Sequence, residues 1–274
     1  MTLRNTDHAI LAARILAALK MRKQIAPISA DEPAFDLADA YAISAAVTER
    51  RVKRGEVPAG WKIGFTNRTI WDEYGVHAPI WGPMYDTTVV AADPATAIVC
   101  PAAALIEPRI EPEIVFRIAT APEPGATGEA LIACLDGVAH GFEIVQSVYP
   151  GWKFTAADTV AAFALHARLF HGPFIPLTRA NRGEWLARLS AFEIALTRDA
   201  TLMDRGQGTN VLGGPLAALA HFVAGLDAVS GARLQPGDIV TTGTVTRAFP
   251  VAAGETWRSE VAGLPLPGLT IRFT

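Results

Sequence analysis

Apolar positions recur at helical spacing where the chain begins. Leu11, Ile15 and Leu19 stand at i, i+4 intervals. They predict a helix capped by Thr6 or Asp7 and running to about Lys20. Lys20, Arg22 and Lys23 fall near its end, where cations suit the helix dipole. A loop with Pro27 and Pro33 follows. Asp36 then caps a second predicted helix, to about Arg54, with Leu37, Tyr41, Ala45, Thr48 and Val52 along one side and Gly55 as its stop. From Gly60 the period shortens to two. Residues 61–65 read as a strand with Lys62 opposite Trp61 and Ile63. Residues 67–74 read as a short helix or turn, and 79–84 as a rigid pocket-wall loop rich in Pro, Gly and Trp. Further strands are predicted at 89–92, 97–99, about 109–119, 138–147, 192–196, 239–242 and 269–273. Residues 129–135 read as a short helix, and 155–171 as one helix stopped by Gly172-Pro173. Gly206 and Gly208 mark a loop, and Pro215 opens a helix to about Leu226. Many short strands with few long helices predict an α+β chain on a mixed β core.

Composition narrows the classes. Half of the 274 residues are hydrophobic and mean hydropathy is +0.25, enough for a sizeable core in one large domain or two smaller ones. The net charge is −3 and no basic run appears, so nucleic acid is not an expected partner. The two cysteines, Cys100 and Cys134, are far apart. They suit a reducing cytoplasm rather than a disulfide framework or a zinc site. Arg14 interrupts the one apolar stretch near the N-terminus, so no signal peptide is expected, and no run is long enough to span a bilayer.

The candidate chemistry centres on Glu111 and Glu113. In an extended strand, residues two apart share a face, so the two carboxylates project side by side. Like charges that close resist ionisation unless a cation neutralises them, and a hard divalent ion is the simplest such partner. A solvent-exposed strand edge is the alternative. Glu143, between Phe142 and Ile144, is costly to bury alone and is the natural third carboxylate, unless its strand also faces water. His166 and His171 are five apart, poor spacing for a shared metal on a helix.

Five stretches carry a family resemblance. They are Trp61-Lys62-Ile63-Gly64-Phe65-Thr66, Arg109-Ile110-Glu111-Pro112-Glu113, Phe142-Glu143-Ile144-Val145-Gln146-Ser147, Val211-Leu212-Gly213-Gly214-Pro215 and Gly237-Asp238-Ile239-Val240-Thr241-Thr242-Gly243. In this order they resemble the 2-keto-4-pentenoate hydratase and 4-oxalocrotonate decarboxylase family, within the fumarylacetoacetate hydrolase superfamily. The resemblance implies a mixed β-roll core at 59–274 of the fumarylacetoacetate hydrolase C-terminal type, with an N-terminal helical segment at 1–58. It implies Mg²⁺ or Mn²⁺ on Glu111, Glu113 and Glu143, a 2-oxo acid substrate and a homo-oligomer. Lys62 matches the family's active-site lysine, although a lysine on a half-buried strand is ordinarily a surface residue. Thr242, Gly243 and Thr244 match a substrate-end loop, although an ordinary Gly turn is the plainer reading. Asp158 matches a retained site aspartate and is expected, with Lys62 and His166, among the catalytic residues.

Two departures qualify the activity. Ile80 stands where hydratases of the family carry an acidic residue, and Ala162-Phe163 replace an Asp-Asn pair; Ala164 and Leu165 stand where a serine tends to follow. Trp81, Phe163 and His166 are therefore candidates for a reshaped pocket. His166 is a candidate acid or base, against the plainer reading of a histidine on a helix surface. The expected reaction is metal-dependent hydration of a 2-hydroxy-2,4-dienoate to a 4-hydroxy-2-oxo acid in aromatic catabolism. The alternatives are decarboxylation of a 2-oxo dicarboxylic acid, C–C hydrolysis or tautomerisation, or a non-catalytic partner subunit.

Overall fold

A computed structural model describes residues 5–68, 71–74 and 76–274. Its centre is an antiparallel pair, Arg109–Ile118 against Leu135–Val145, in which Glu111 lies opposite Glu143 and Glu113 opposite Gly141. A nine-stranded mixed sheet grows around this pair. The order is Ile80–Tyr85, Pro58–Gly64, Ile239–Thr244, Arg109–Ile118, Leu135–Val145, His166–His171 and Val89–Ala91, with Phe249–Pro250 and Ile175–Pro176 attached beside the path. Pro58–Gly64 runs parallel to Ile239–Thr244, and Val89–Ala91 parallel to His166–His171. Five more strands form a second sheet, ordered Thr201–Gln207, Glu193–Arg198, Thr256–Ala262, Thr270–Phe273 and Ile98–Cys100.

The two faces of the large sheet part company through strand alternation. On one face Ile63, Val240, Ile114 and Phe116 bury against Leu219, Phe222 and Leu226 of the Pro215–Ser230 helix. Further along, Ile110, Phe142 and Ile144 join Trp257, Ile271 and Phe273 of the second sheet. His140 ties the sheets together, with Nε2 2.7 Å from Ser259 Oγ and Nδ1 3.0 Å from the Glu113 carbonyl. Burial pushes this imidazole down to about 4, so it bonds as a neutral group. The opposite face carries the candidate site.

A bulge and a proline shape that face. Thr241 pairs with Val115 and Thr244 with Glu113, so one extra residue is accommodated at Gly243. Gly243 has φ 94°, and a Cβ there would lie 1.8 Å from Thr66 Oγ1, so only glycine fits. Pro112 stands between the two glutamates in this central strand, and its carbonyl accepts from Val245 N–H at 3.0 Å. Central strands rarely hold proline, and this one sits beside the bulge, where the ladder is already interrupted.

The helices follow their predicted bounds more closely than their predicted faces. Asn5–Met21 already includes the expected cap residues Thr6 and Asp7. Leu37–Lys53 is capped by Asp36, whose carboxylate accepts from Asp39 N–H at 3.0 Å. Its buried face, however, is Ala40, Ile43, Ser44, Val47 and Arg51, while Leu37 and Val52 are exposed. Arg51 disguises that stripe: it is buried because its guanidinium lies 3.8 Å over the Tyr85 ring and pairs with Glu56. These helices share a core cluster with Val145, Val160, Phe163 and Leu165.

Three expectations are corrected. The helix expected over 155–171 stops at Ala161. Thr155 starts it with a capping box, but Phe163, Ala164 and Leu165 take φ of 43°, 54° and 63°, and His166–His171 continues as a strand. Pairing on both edges of that strand outweighs its helix-like sequence. The expected loop at 79–84 is the edge strand Ile80–Tyr85, where Pro83 is tolerated. Gly206, expected in a loop, pairs with Ile194 inside the strand Thr201–Gln207. Of the short turn expected at 67–74, Trp71–Tyr74 is helical, and residues 69 and 70 lie outside the described residues. No helix among the described residues is long and apolar enough to cross a membrane.

Candidate active site

Register places the charges. Lys62 pairs with Thr241, Thr241 with Val115, and Val115 lies two residues from Glu113. Paired strand residues share a face, so Lys62, Glu113, Glu111 and Glu143 all project from the same side. Each glutamate offers an oxygen within 4.8 Å of the others. Glu113 and Glu143 have no solvent exposure and Lys62 only 4 %. Lys62 Nζ lies 3.3 Å from Glu143 Oε2.

These groups perturb one another. Burial pushes Glu143 up while Lys62 pulls it back, leaving it at about 7. Burial, then the charges of Glu143 and Glu111, hold Glu113 well above the usual carboxylate range. Burial also raises Glu111. Burial alone would lower Lys62, but the three carboxylates outweigh it and hold the ammonium above its ordinary value.

The oxygens of the triad fit a divalent cation. Glu113 Oε2 accepts the Gly243 N–H at 2.8 Å, but Glu113 Oε1 is buried with no hydrogen-bond partner. Glu143 Oε1 faces His166, while Oε2 has only the ion contact with Lys62, not aligned as a hydrogen bond. Buried carboxylate oxygens without donors are costly, and hard oxygen donors of this kind suit Mg²⁺ or Mn²⁺.

Through Glu111, the triad borders a small cavity of about 60 Å³. Lys62, Arg109 and Glu111 supply its charge, while Phe65, Ile80, Val145, Trp152, Phe154 and Leu165 form apolar wall. Gly243 and Thr244 line it too. Arg109 shares the face of Glu111, two residues on, and its guanidinium lies 4.1 Å over the Trp152 ring.

The structure brings only some expected residues to this cavity. Trp81 pairs with Ile63 and so faces away from Lys62. It stacks on Tyr41 at 4.9 Å and borders a separate surface groove. Ile80, its neighbour, pairs with Gly64 and lines the cavity. Phe163 faces Arg51 and a different pocket, leaving Ala164 and Leu165 to form the wall. The Thr242 hydroxyl donates to the Ile114 carbonyl, and the Thr244 hydroxyl to that of Thr246.

Asp158 and His166 stand behind the site. The Asp158 carboxylate accepts from Ser29 N–H and Oγ–H at 3.1 and 2.6 Å, and from Thr155 N–H and Oγ1–H at 2.9 and 2.8 Å. It is engaged on both oxygens as a cap and tether. His166 is not on a helix surface: it is a strand residue, 1 % exposed. Burial and the nearby Lys62 hold its imidazole well below the ordinary histidine range. Sequence reading passed over Arg109, although its place two residues before Glu111 was a usable signal. Thr88, which meets His166, carried none.

Comparison with known proteins places the chain in a family. The chain is 30% identical over 262 residues to 2-hydroxyhexa-2,4-dienoate hydratase of Comamonas testosteroni, covering 95% of each. It is also 30% identical over 264 residues to a 4-oxalocrotonate decarboxylase of Pseudomonas putida, covering 96% of each. The solved 4-oxalocrotonate decarboxylase from Pseudomonas putida G7, complexed with magnesium and adipate, matches with a TM-score of 0.90 and 29% identity. That match covers 100% of this chain and 99% of the other. The fumarylacetoacetate (FAA) hydrolase C-terminal family matches residues 76–270, and the chain belongs to that family.

Proposed function

We propose that the protein is a divalent-metal-dependent lyase that adds water to a 2-hydroxy-2,4-dienoate, giving a 4-hydroxy-2-oxo acid. The observation that carries this reading is the convergence of three glutamates, two of them fully buried, with Lys62 beside a largely apolar cavity that Glu111 and Lys62 line. Glu111, Glu113 and Glu143 would hold Mg²⁺ or Mn²⁺. When bound, that ion supplies Lewis acidity to the oxygens of a 2-oxo acid.

The chain's own groups divide the remaining work. Lys62 is held charged by the carboxylates against the pull of burial. Whether it keeps or gives up its proton therefore depends on how far their charge is compensated, which suits a relay to the substrate's enol oxygen. The apolar walls exclude water and strengthen every charge interaction at the triad. They also receive the hydrocarbon tail. Ile80 offers the tail no acid or base, and the Thr244 hydroxyl is spent on a carbonyl. Apart from Asn67, Arg109 and Thr159, little on that wall can orient an attacking water, so larger or substituted substrates should turn over better than 2-hydroxypenta-2,4-dienoate. The same reading takes the enzyme as cytoplasmic and homo-oligomeric, with the helical segment 1–58 flanking a catalytic unit at 59–274.

Arg109 favours a second reading. A guanidinium at the cavity wall can pair with the distal carboxylate of a 2-oxo dicarboxylic acid, which would make decarboxylation the reaction. A spectrophotometric screen with parallel CO₂ detection decides. Loss of diene absorbance without CO₂ supports hydration. CO₂ release from a dicarboxylate supports the second reading. No turnover of any dienoate or 2-oxo acid, across a series of tail lengths, rejects both.

A further inference from the structure

His166 is reached by an unusual path. The chain leaves the Ala156–Ala161 helix and reverses through three consecutive non-glycine residues in left-handed backbone, Phe163, Ala164 and Leu165. Each such residue costs on the order of 1 kcal/mol or more, and such strain persists only where the surroundings impose it. Gly82 is part of that surround: a Cβ there would stand 2.5 Å from the Phe163 carbonyl carbon and oxygen. The new strand then bulges. Glu143 pairs with Leu169 and Ile144 with Arg168, but Val145 pairs with His166, so Ala167 is the extra residue. Without the bulge His166 would face away from Glu143. With it, the imidazole shares the glutamate's face.

The contacts on its two nitrogens are specific. Nδ1 lies 2.8 Å from Glu143 Oε1, and Nε2 lies 2.9 Å from Thr88 Oγ1. Thr88 Oγ1 accepts the Tyr85 N–H at 3.1 Å, which fixes the hydroxyl in place. Its own proton has two acceptors within reach, Nε2 and the Tyr85 carbonyl at 3.0 Å. Turned to Nε2, it leaves the imidazole proton on Nδ1, donating to the carboxylate. One oxygen of Glu143 is then tied back, and the other, Oε2, is left without a hydrogen-bond donor, 3.3 Å from Lys62 Nζ.

We propose that His166 is a positioning residue for Glu143, orienting the carboxylate so that Oε2 is presented to the divalent cation, with Thr88 selecting the tautomer that does so. The inference rests on the metal reading of the triad. His166 lies outside the lining of the cavity beside the triad and borders the separate pocket of Phe163 and Arg51, so it acts on the reaction through Glu143.

The test separates the two nitrogens. In His166→Asn the side-chain amide falls near Nδ1 and can still donate to Glu143. In His166→Gln it falls near Nε2 and keeps only the Thr88 side. Mn²⁺ affinity is read by calorimetry and by the paramagnetic resonance of bound Mn²⁺, with thermal melting of the metal-free proteins as the folding control. The expected result is His166→Asn within about threefold of the parent and His166→Gln weakened on the order of 10–100-fold. Thr88→Val, which leaves the imidazole in place, should fall between them. Equal Mn²⁺ affinity in His166→Asn and His166→Gln, whether both intact or both lost, overturns the positioning role. Failure of the parent to bind Mn²⁺, or unchanged binding in Glu143→Gln, instead overturns the metal reading and takes this inference with it.

Discussion

The two faces of the Arg109–Ile118 and Leu135–Val145 pair are built from the same strands and bury comparable residues to opposite ends. Ile110, Ile114, Phe116, Phe142 and Ile144 on one face have no solvent exposure, and neither have Glu113 and Glu143 on the other. The first set meets side chains that fill space. The second meets Lys62, His166 and a backbone N–H, and still leaves carboxylate oxygens unpartnered. Burial itself is therefore neutral between stability and chemistry, and what each face meets decides which it serves. Alternation lets adjacent residues of one strand do either job independently.

That independence can be broken in graded steps. Glu143→Gln should have the largest effect: Mn²⁺ binding weakened by more than the roughly 10–100-fold that an outer partner costs, with turnover lost alongside. The metal-free mutant should melt no lower than the parent, because Glu111 and Glu113 remain to neutralise Lys62 and the amide relieves the repulsion among crowded carboxylates. Calorimetry and melting report the two halves. Lys62→Met should cut kcat by about 10²–10⁴-fold with little change in Mn²⁺ affinity. Equal kcat in mutant and parent would return Lys62 to a packing role. Ile114→Ala, one residue from Glu113 but on the other face, should cost about 2–5 kcal/mol in urea unfolding and leave the folded protein's Mn²⁺ affinity intact. A parallel loss of affinity would show that the faces are not separable.

The smallest effect is on pH. The ordinary glutamate value is 4.5 and the folded Glu143 titrates at about 7, so between them the folded chain holds a proton that the unfolded chain releases. Stability from this group is complete below about 4.5 and lost as pH rises through 7. The metal-free protein should thus melt on the order of 5 °C lower at pH 8 than at pH 5. Mg²⁺ should reverse that slope, since it binds the ionised carboxylates. A melting temperature indifferent to pH without metal would place the carboxylates in water.

Much of the chemical face was legible because alternation is a short-range signal. Lys62 opposite Ile63, and Glu111 with Glu113 on one side, follow from period two alone, and the structure joins them through register. Where reading failed, the cause was equally physical. Nothing in Phe163-Ala164-Leu165 announces left-handed backbone, which non-glycine residues rarely adopt, so the sequence of 155–171 reads as an unbroken helix. Arg51 on a buried helix face defeated the hydrophobic stripe because its partner ring, Tyr85, is distant in sequence. Trp81 and Ile80 show a finer limit: which of two neighbours enters the cavity depends on pairing with Ile63 and Gly64, which composition does not express.

Pro112 has a consequence for assembly of the sheet. A strand that slips by one residue turns every side chain to the other face, and here that would drive Glu111 and Glu113 into the hydrocarbon core and Ile114 into the charge cluster. The slip would also move Pro112, which cannot donate, away from the interruption at Gly243 and set it against a neighbour that expects a ladder bond. Mispairing is thus penalised by two unrelated terms, one electrostatic and one from the missing amide hydrogen. The residue wedged between the carboxylates acts as a proofreading mark for the strand that bears them.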